Sequence, residues 1–407
     1  MVSDTELNKF NNNIKSPIWL QIVIYLLFGL GPLTGNVILV LFGVLSSEFG
    51  VSPTAIAIAI PSFMFPFAIV QLFSGAISDI KGRIPIILFG LIIFGVGMFI
   101  ATFSASLIMY ILANILGGVG FGFVNPVLIA LMSDISNRSD IPKKMGFLGA
   151  VANLGVGFGP ILAGQLAIIS WRWLYIIFIL IIILGFFILL GLSKINKSKR
   201  RDKHFKIFFG HLISELKRPV VILLILSAFL ATQSYLAVIT WTSQALTGAI
   251  PENVAGMIIG LAGIFGAISG IIIGIMIKKT GISIALAIGI ISLFASIFTL
   301  LSIEDISNPE TLSFVSLGFI FIGIAGGTII PAVMFYSQTL SYERRGALAG
   351  LATASQFVGI ALVPITYEFY YNQGGISLVY LAILIVSMVF IIVILVLYFK
   401  AKKIKKV

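Results

Sequence analysis

The chain has 407 residues, of which 59% are hydrophobic and only 10% are charged, and its net charge at pH 7 is +12. A mean hydropathy of +1.16 lies far above that of soluble globular chains and predicts a polytopic membrane protein. Cysteine is absent, and His204 and His211 have no partner at metal-ligand spacing, so the sequence predicts no disulfide, no metal and no cofactor.

The N-terminal segment Met1–Ser16 is polar and lacks the arrangement of a cleaved signal peptide, so the first apolar run is predicted to be a retained span. Twelve apolar runs are long enough to cross a hydrocarbon core of about 30 Å. They lie at about 18–45, 53–78, 84–104, 106–132, 145–169, 173–193, 219–246, 252–277, 282–302, 311–338, 346–370 and 376–399. The sequence therefore predicts an all-α membrane protein with twelve transmembrane helices.

Basic residues occupy alternate connections between these spans. If both termini are cytoplasmic, 25 of the 26 Lys and Arg residues fall on the cytoplasmic side, and only Arg172 lies outside. This bias predicts the orientation of a multi-pass protein of a cell membrane, with the prokaryotic plasma membrane favoured. It also explains the positive charge by the lipid bilayer, without a nucleic-acid partner.

The long basic segment 194–218 divides six spans from six. It predicts an N-terminal bundle over 1–193, a cytoplasmic linker over 194–218 and a C-terminal bundle over 219–407. Apolar residues at helical spacing within the linker are typical of an amphipathic helix on an anionic membrane surface, although a simple tether is the plainer interpretation.

The two sets of six spans resemble copies of one another. Glycines and prolines recur at an offset of roughly 200 residues, which is close to half the chain. Parallel six-span repeats of this kind are one plan for secondary transporters. The matched pairs are Pro17 with Pro219, Gly75 with Gly274, Gly82 with Gly281, Pro126 with Pro331, Gly155 with Gly359, and Pro160 with Pro364.

A charged motif joins span 2 to span 3 and consists of Gly75, Asp79, Lys81, Gly82 and Arg83. It resembles the signature loop of the major facilitator superfamily, in which a glycine is followed by an aspartate four residues on and then by Gly-Arg. Together with the span count, the polarity and the repeat, the resemblance covers essentially the whole chain. It implies two pseudo-symmetric six-helix bundles around one central site, and movement of a small-molecule substrate by alternating access.

The same resemblance implies a conformational latch at the cytoplasmic end. Gly75 would let span 2 approach a neighbouring helix closely. Asp79 would lie near the N-terminus of span 11, at about Gly346, where the helix dipole is positive. Arg83 would pair with Asp134 at the end of span 4, and we expect the latch to favour the outward-facing state.

Span 5 carries Gly155, Gly159, Pro160 and Gly164, a pattern that resembles the glycine and proline element of the family's exporters. Ala163 replaces one glycine of that pattern. Small residues give a flat packing face and proline favours a kink, so this helix is a candidate hinge, with ordinary close packing as the alternative.

None of the fourteen acidic residues lies deep in a predicted span, which argues against a buried proton relay. Glu48 and Glu368, at the outer ends of spans 1 and 11, remain as candidates for ion coupling. Neutral residues are predicted to line the substrate cavity, although hydrogen bonding between helices is an equal alternative for each. They are Asn36, Asn114, Asn153, Gln233, Tyr235, Trp241, Tyr336 and Gln356.

The interpretation that these features favour is multidrug efflux of hydrophobic or amphiphilic compounds by a monomeric antiporter, with protons as the candidate coupling ion. Facilitated or ion-coupled transport of a neutral metabolite such as a sugar is the alternative. An enzyme would need a buried nucleophile or a metal set, and a channel would need a continuous polar lining. The chain has no cysteine and no His, Asp or Glu deep in a predicted span, and its spans are largely apolar, so the sequence predicts neither an enzyme nor a channel. A receptor that does not transport is disfavoured by the intact Asp79 to Arg83 motif.

Overall fold

A computed structural model describes residues 17–137, 140–193, 210, 214–303, 305–306, 308–341 and 344–404. Within these ranges the chain forms helices and no strands. The predicted amphipathic helix of the linker, like both histidines, falls almost wholly outside the described residues.

The helices follow the predicted spans closely. The N-terminal set comprises Ile18–Asn36 and Ile38–Phe49 (span 1), Pro53–Ile56 and Ala59–Lys81 (span 2), Arg83–Thr102 (span 3), Leu107–Asp134 (span 4), Ile141–Ala167 (span 5) and Arg172–Ser193 (span 6). The C-terminal set comprises Pro219–Leu246 (span 7), Glu252–Thr280 (span 8), Ile282–Leu301 (span 9), Leu312–Thr339 (span 10) and Arg345–Ile404 (spans 11 and 12), with a 3₁₀ turn at Pro309–Thr311.

Span 2 is broken into two helices for a local chemical reason. Pro61 has no N–H to donate to the carbonyl of Ala57, four residues earlier. That carbonyl instead accepts a bond from the backbone N–H of Ile60 at 3.0 Å, as in a tighter 3₁₀ turn. The predicted apolar run at 53–78 covers both helices closely, and the break lies inside it.

Spans 11 and 12 form one run of 60 residues in which Gly374 and Gly375 leave helical geometry. Gly375 has φ 64°, in the left-handed region that glycine adopts without strain. An unbroken helix of this length would measure about 90 Å, roughly three times a hydrocarbon core. The bend therefore separates two spans, and the eleven long apolar helices of the described chain correspond to the twelve predicted spans.

The repeat predicted from glycine and proline positions is visible in the backbone. Gly82 and Gly281 precede spans 3 and 9, and both have positive φ, at 98° and 80°. Spans 4 and 10 have 28 residues each and contain Pro126 and Pro331. The two sets of six helices are thus related element by element.

Packing defines how the two bundles meet. Spans 7 and 11, 3 and 4, and 1 and 5 pack within a bundle, whereas spans 5 and 8, and spans 2 and 11, pack across the boundary. The end of the molecule that carries the basic 2–3, 4–5, 6–7, 8–9 and 10–11 connections is called the basic end below, and the opposite end is called the far end.

Candidate functional site

Spans 5 and 8 meet in a seam of glycines, which we call the glycine seam and define as Gly157, Pro160, Gly164, Gly256 and Gly263. A Cβ added to Gly263 would overlap the backbone nitrogen and Cα of Gly157, and one added to Gly256 would overlap the carbonyl oxygen of Pro160. Gly164 approaches the backbone of span 8 as closely. The two bundles therefore touch backbone to backbone from mid-span to the far end.

Spans 1 and 7 close the far end beside this seam. A Cβ on Gly43 would lie 3.0 Å from Cγ2 of Thr247. The space between these helices, next to the buried Ser243, has a volume of only about 10 Å³. The far end is closed in this structure.

The basic end is open, because the glycines of its helices have no close neighbours. A Cβ added to Gly75, Gly149, Gly274, Gly346 or Gly350 would meet no neighbouring atom within 4 Å. These glycines belong to spans 2, 5, 8 and 11, the same spans that connect the bundles elsewhere. The structure is thus an asymmetric state, with the bundles joined at the far end and apart at the basic end.

The charged motif after span 2 is assembled around Arg83. Its guanidinium lies 2.5 Å from the Asp79 carboxylate and 3.0 Å from that of Asp134. The same group donates to Ser78 Oγ at 2.6 Å. Lys81 is exposed. The predicted pairing of Arg83 with the end of span 4 is present in the geometry, and the motif holds spans 2, 3 and 4 together.

Two contacts expected of the closed latch are not made in this state. Asp79 pairs with Arg83, and the position expected to receive it, Gly346, has no neighbour within 4 Å of an added Cβ. Gly75 likewise makes no close helix approach. The physical reason is the open basic end, because span 11 lies too far from span 2 there for either contact.

The candidate hinge residues of span 5 pack against two different helices, spans 1 and 8. Gly155 and Gly159 pack on span 1, where an added Cβ would lie 2.8 Å from Pro32 Cβ and 2.9 Å from the Leu33 carbonyl oxygen. Pro160 is buried, and the helix continues through it. Sequence reasoning missed Gly157, which faces span 8. The spacing of Gly157, Pro160 and Gly164, at three and four residues, would have indicated this second face.

Three of the predicted cavity residues bond to their own helices. The side-chain amides of Asn36, Asn114 and Asn153 each donate to the carbonyl four residues earlier, at 2.7, 2.8 and 3.2 Å. Asn36 is buried beside Gly159 of span 5. Asn153 lies against span 8, 3.6 Å from a Cβ added at Gly266. A substrate would have to replace these local bonds in order to use the amides.

Two of the predicted cavity residues of span 7 hydrogen-bond to span 11. Gln233 donates to the carbonyl of Gly359 at 2.8 Å, and Trp241 donates to that of Val363 at 3.5 Å. Gln356 is buried, and its amide nitrogen has no hydrogen-bond partner among the described residues, as is also true of the amide oxygen of Gln233. Among the predicted cavity residues, these two groups are the side-chain amides that have hydrogen-bonding capacity left for a neutral solute.

The two tyrosines do not lie together. The Tyr235 ring packs on Gly326 of span 10, so it is part of a helix contact. Tyr336 lies between spans 9, 10 and 12, in a separate pocket with Tyr398 and Lys402. Its predicted place in the central cavity is therefore wrong, because span 10 presents this residue to the outer helices of its own bundle.

The one basic residue that lies outside the basic connections, Arg172, forms an ion pair at the far end. Arg172 lies 2.8 Å from Glu48, and its guanidinium stacks 4.4 Å above the Trp171 ring. Trp171 also donates to Glu48 at 3.4 Å. Sequence reasoning left Glu48 as a coupling candidate, and the structure instead gives it a fixed partner within its own bundle. Glu368 is exposed.

A second ion cluster fastens the end of the linker to the C-terminal bundle. Glu215 is 1% exposed and lies 2.7 Å from Arg218 and 2.6 Å from Arg344 of the 10–11 connection. Burial acts to raise the pKa of Glu215, but the bonds donated by these arginines outweigh it and hold the pKa below its ordinary value. The carboxylate is therefore charged at neutral pH. The described residues contain no cluster of three His, Cys, Asp or Glu that could hold a metal.

Comparisons with known proteins agree with this architecture. The family model described as Major Facilitator Superfamily matches residues 24–364. The chain is 26% identical to the quinolone resistance protein NorA of Staphylococcus aureus, over 78% of this chain and 81% of that protein. It is 25% identical to multidrug resistance protein 2 of Bacillus subtilis, over 73% and 76%. A crystal structure of the nucleoside transporter NupG shares the fold with a TM-score of 0.72 and 14% identity, over 96% of this chain and all of that one.

Proposed function

Because the family match spans most of its length, this chain belongs to the major facilitator superfamily, and we propose that it exports hydrophobic or amphiphilic compounds across the plasma membrane by alternating access. The observation that carries the transport mechanism is the contrast between its ends. The glycine seam is closed toward the far end, while the matching helices are unpacked at the basic end. Movement of one bundle against the other would open the far end and close the basic end.

The orientation in this proposal follows the positive charge. Basic connections favour the cytoplasm, so the structure corresponds to an inward-open state that takes up its substrate from the cytoplasm or the inner leaflet. Glu48 is occupied by Arg172, and no described acidic residue lies in the middle of a span. Proton coupling, if the antiport mode holds, would then act through peripheral groups such as Asp79 or Glu368.

The export direction and the apolar substrates are supported by two facts. The interior groups that could meet a substrate are uncharged, which suits hydrophobic or weakly polar compounds. The printed names of two relatives are those of drug resistance proteins. The unpartnered amide atoms of Gln233 and Gln356 favour a second candidate, a neutral metabolite with hydroxyl groups.

A reversible lock tests the mechanism and the substrate together. The chain has no cysteine, so Gly43→Cys with Thr247→Cys provides a single engineered pair across the far end. The 3.0 Å approach at these positions is compatible with disulfide geometry. In liposomes, oxidation is expected to stop the export of a lipophilic cationic dye, and reductant is expected to restore it.

The outcomes separate the parts of the proposal. Dye movement that is indifferent to oxidation contradicts alternating access at this seam. No dye movement in the reduced protein contradicts the export of amphiphiles, and a radiolabelled sugar assayed in the same vesicles then tests the neutral-metabolite alternative. Acceleration of dye movement by an imposed pH gradient would support proton antiport, and dye movement that does not respond to the gradient would contradict it.

A further inference from the structure

We propose that the pocket between spans 9, 10 and 12 at the basic end binds the phosphate headgroup of an anionic phospholipid. The pocket has a volume of about 270 Å³. Its polar wall is formed by Ser283, Tyr336, Tyr398 and Lys402, and its apolar wall includes Phe335 and Leu340. This inference is independent of the transport proposal, because the pocket lies on the outer side of the C-terminal bundle.

The polar wall has hydrogen-bonding capacity that the protein does not use. Tyr336 is 4% exposed, and its hydroxyl has no hydrogen-bond partner among the described residues. Ser283 donates to the Tyr398 hydroxyl at 3.1 Å. Lys402 is exposed beside them. A buried hydroxyl donor and an ammonium group together suit a ligand that only accepts hydrogen bonds and carries negative charge, as a phosphodiester does.

The related corner of the N-terminal bundle shows what this pocket lacks. There Arg83 begins span 3 and pairs with Asp134, the last residue of span 4. In the C-terminal bundle Ile282 begins span 9, and Thr339 is the last residue of the equally long span 10. The ion pair that fills the first corner is thus replaced by short neutral side chains, which leaves the pocket.

Position and shape favour a lipid over a free anion. The pocket lies where span 12 ends in a lysine-rich tail, at the level expected for headgroups of the leaflet at the basic end. Apolar side chains form much of its wall and would contact the glycerol and first acyl carbons of a lipid. A free phosphate would gain nothing from that surface.

Native mass spectrometry of the full chain released from nanodiscs tests the site. Nanodiscs of phosphatidylcholine with about a third phosphatidylglycerol are compared with phosphatidylcholine alone. We expect one phosphatidylglycerol molecule to be retained preferentially. Tyr336→Phe, which removes only the unpartnered hydroxyl, and Lys402→Gln should each lower its retention by about fivefold. Lys400→Gln is the matched control, because Lys400 is exposed but does not line the pocket.

Equal retention by wild type, Tyr336→Phe and Lys402→Gln would overturn the proposal, as would equal loss in Lys400→Gln. A third arm adds inorganic phosphate to detergent-purified protein. Thermal stabilisation by millimolar phosphate that disappears in Tyr336→Phe, without preferential retention of phosphatidylglycerol in the nanodisc experiment, would show a free-anion site and reject the lipid. Wild-type circular dichroism in both variants excludes misfolding as the cause.

Discussion

Substitution of Gly263 by alanine should open the far end. The new methyl group would overlap the backbone nitrogen and Cα of Gly157, which cannot turn away as a flexible side chain does. Overpacking of this kind costs about 1–3 kcal/mol. The cost falls only on the state in which spans 5 and 8 touch, so a central value of ~2 kcal/mol shifts the equilibrium about 30-fold toward the far-end-open state.

A single reporter cysteine makes this shift measurable. Ser243→Cys is nearly isosteric, and Ser243 is 2% exposed beside the closed space between spans 1 and 7. Its labelling by a membrane-impermeant maleimide should accelerate up to about 30-fold in Gly263→Ala, provided that far-end opening limits the reaction.

Gly149→Ala is the matched control on span 5, because a Cβ there meets no neighbouring atom within 4 Å. It should not accelerate labelling, and it should slow labelling if span 5 packs there when the basic end closes. Unchanged labelling in Gly263→Ala, or equal acceleration in Gly149→Ala, would refute the reasoning. Unaltered gel-filtration behaviour of both variants excludes general loosening.

Three further substitutions test the charged groups. Asp79→Asn should favour the basic-end-open state by about fivefold, since it removes the charge that would cap span 11 after closure; unchanged cysteine accessibility at that end contradicts the latch. Glu215→Gln should cost about 2 kcal/mol at pH 7 through its weakened bond to Arg344. Because the folded-state pKa of Glu215 is lowered, its stabilisation is present above the unfolded pKa of about 4.3 and is lost as pH falls through the folded pKa, so thermal melts of wild type and variant should converge in acid. Glu48→Gln should keep the response to a pH gradient, because Arg172 already holds this carboxylate; loss of that response alone would identify Glu48 as the coupling group.

The number and length of the transmembrane helices could be predicted from the sequence, because the bilayer constrains them. Apolar runs of about 20 residues and alternating basic connections predicted twelve spans. The glycine and proline offsets predicted the repeat, which Gly82 and Gly281 confirm by their shared positive φ. The pairing of Arg83 with Asp134 followed from the resemblance of the motif and is present in the structure.

The site was harder to predict, because the position of a residue along a span does not specify which neighbour it faces. Tyr336 was assigned to the central cavity from its span alone, and it faces spans 9 and 12. Asn36 and Asn114 are predicted to contact either a substrate or a neighbouring helix, whereas in the structure each donates to a carbonyl of its own helix. The sequence also could not predict which end of the protein is open, because the same sequence adopts both conformations of the transport cycle.

The glycine seam has a consequence for how such a protein changes over generations. Its contacts are made largely by backbone atoms and glycines, which are separate from the side chains of spans 7 and 11 that we propose a solute would contact. Variation in those side chains can alter which compounds are accepted while the moving parts remain intact. Selection is thereby divided, with strict constraint on the glycines of spans 5 and 8 and greater latitude in the side chains of spans 7 and 11.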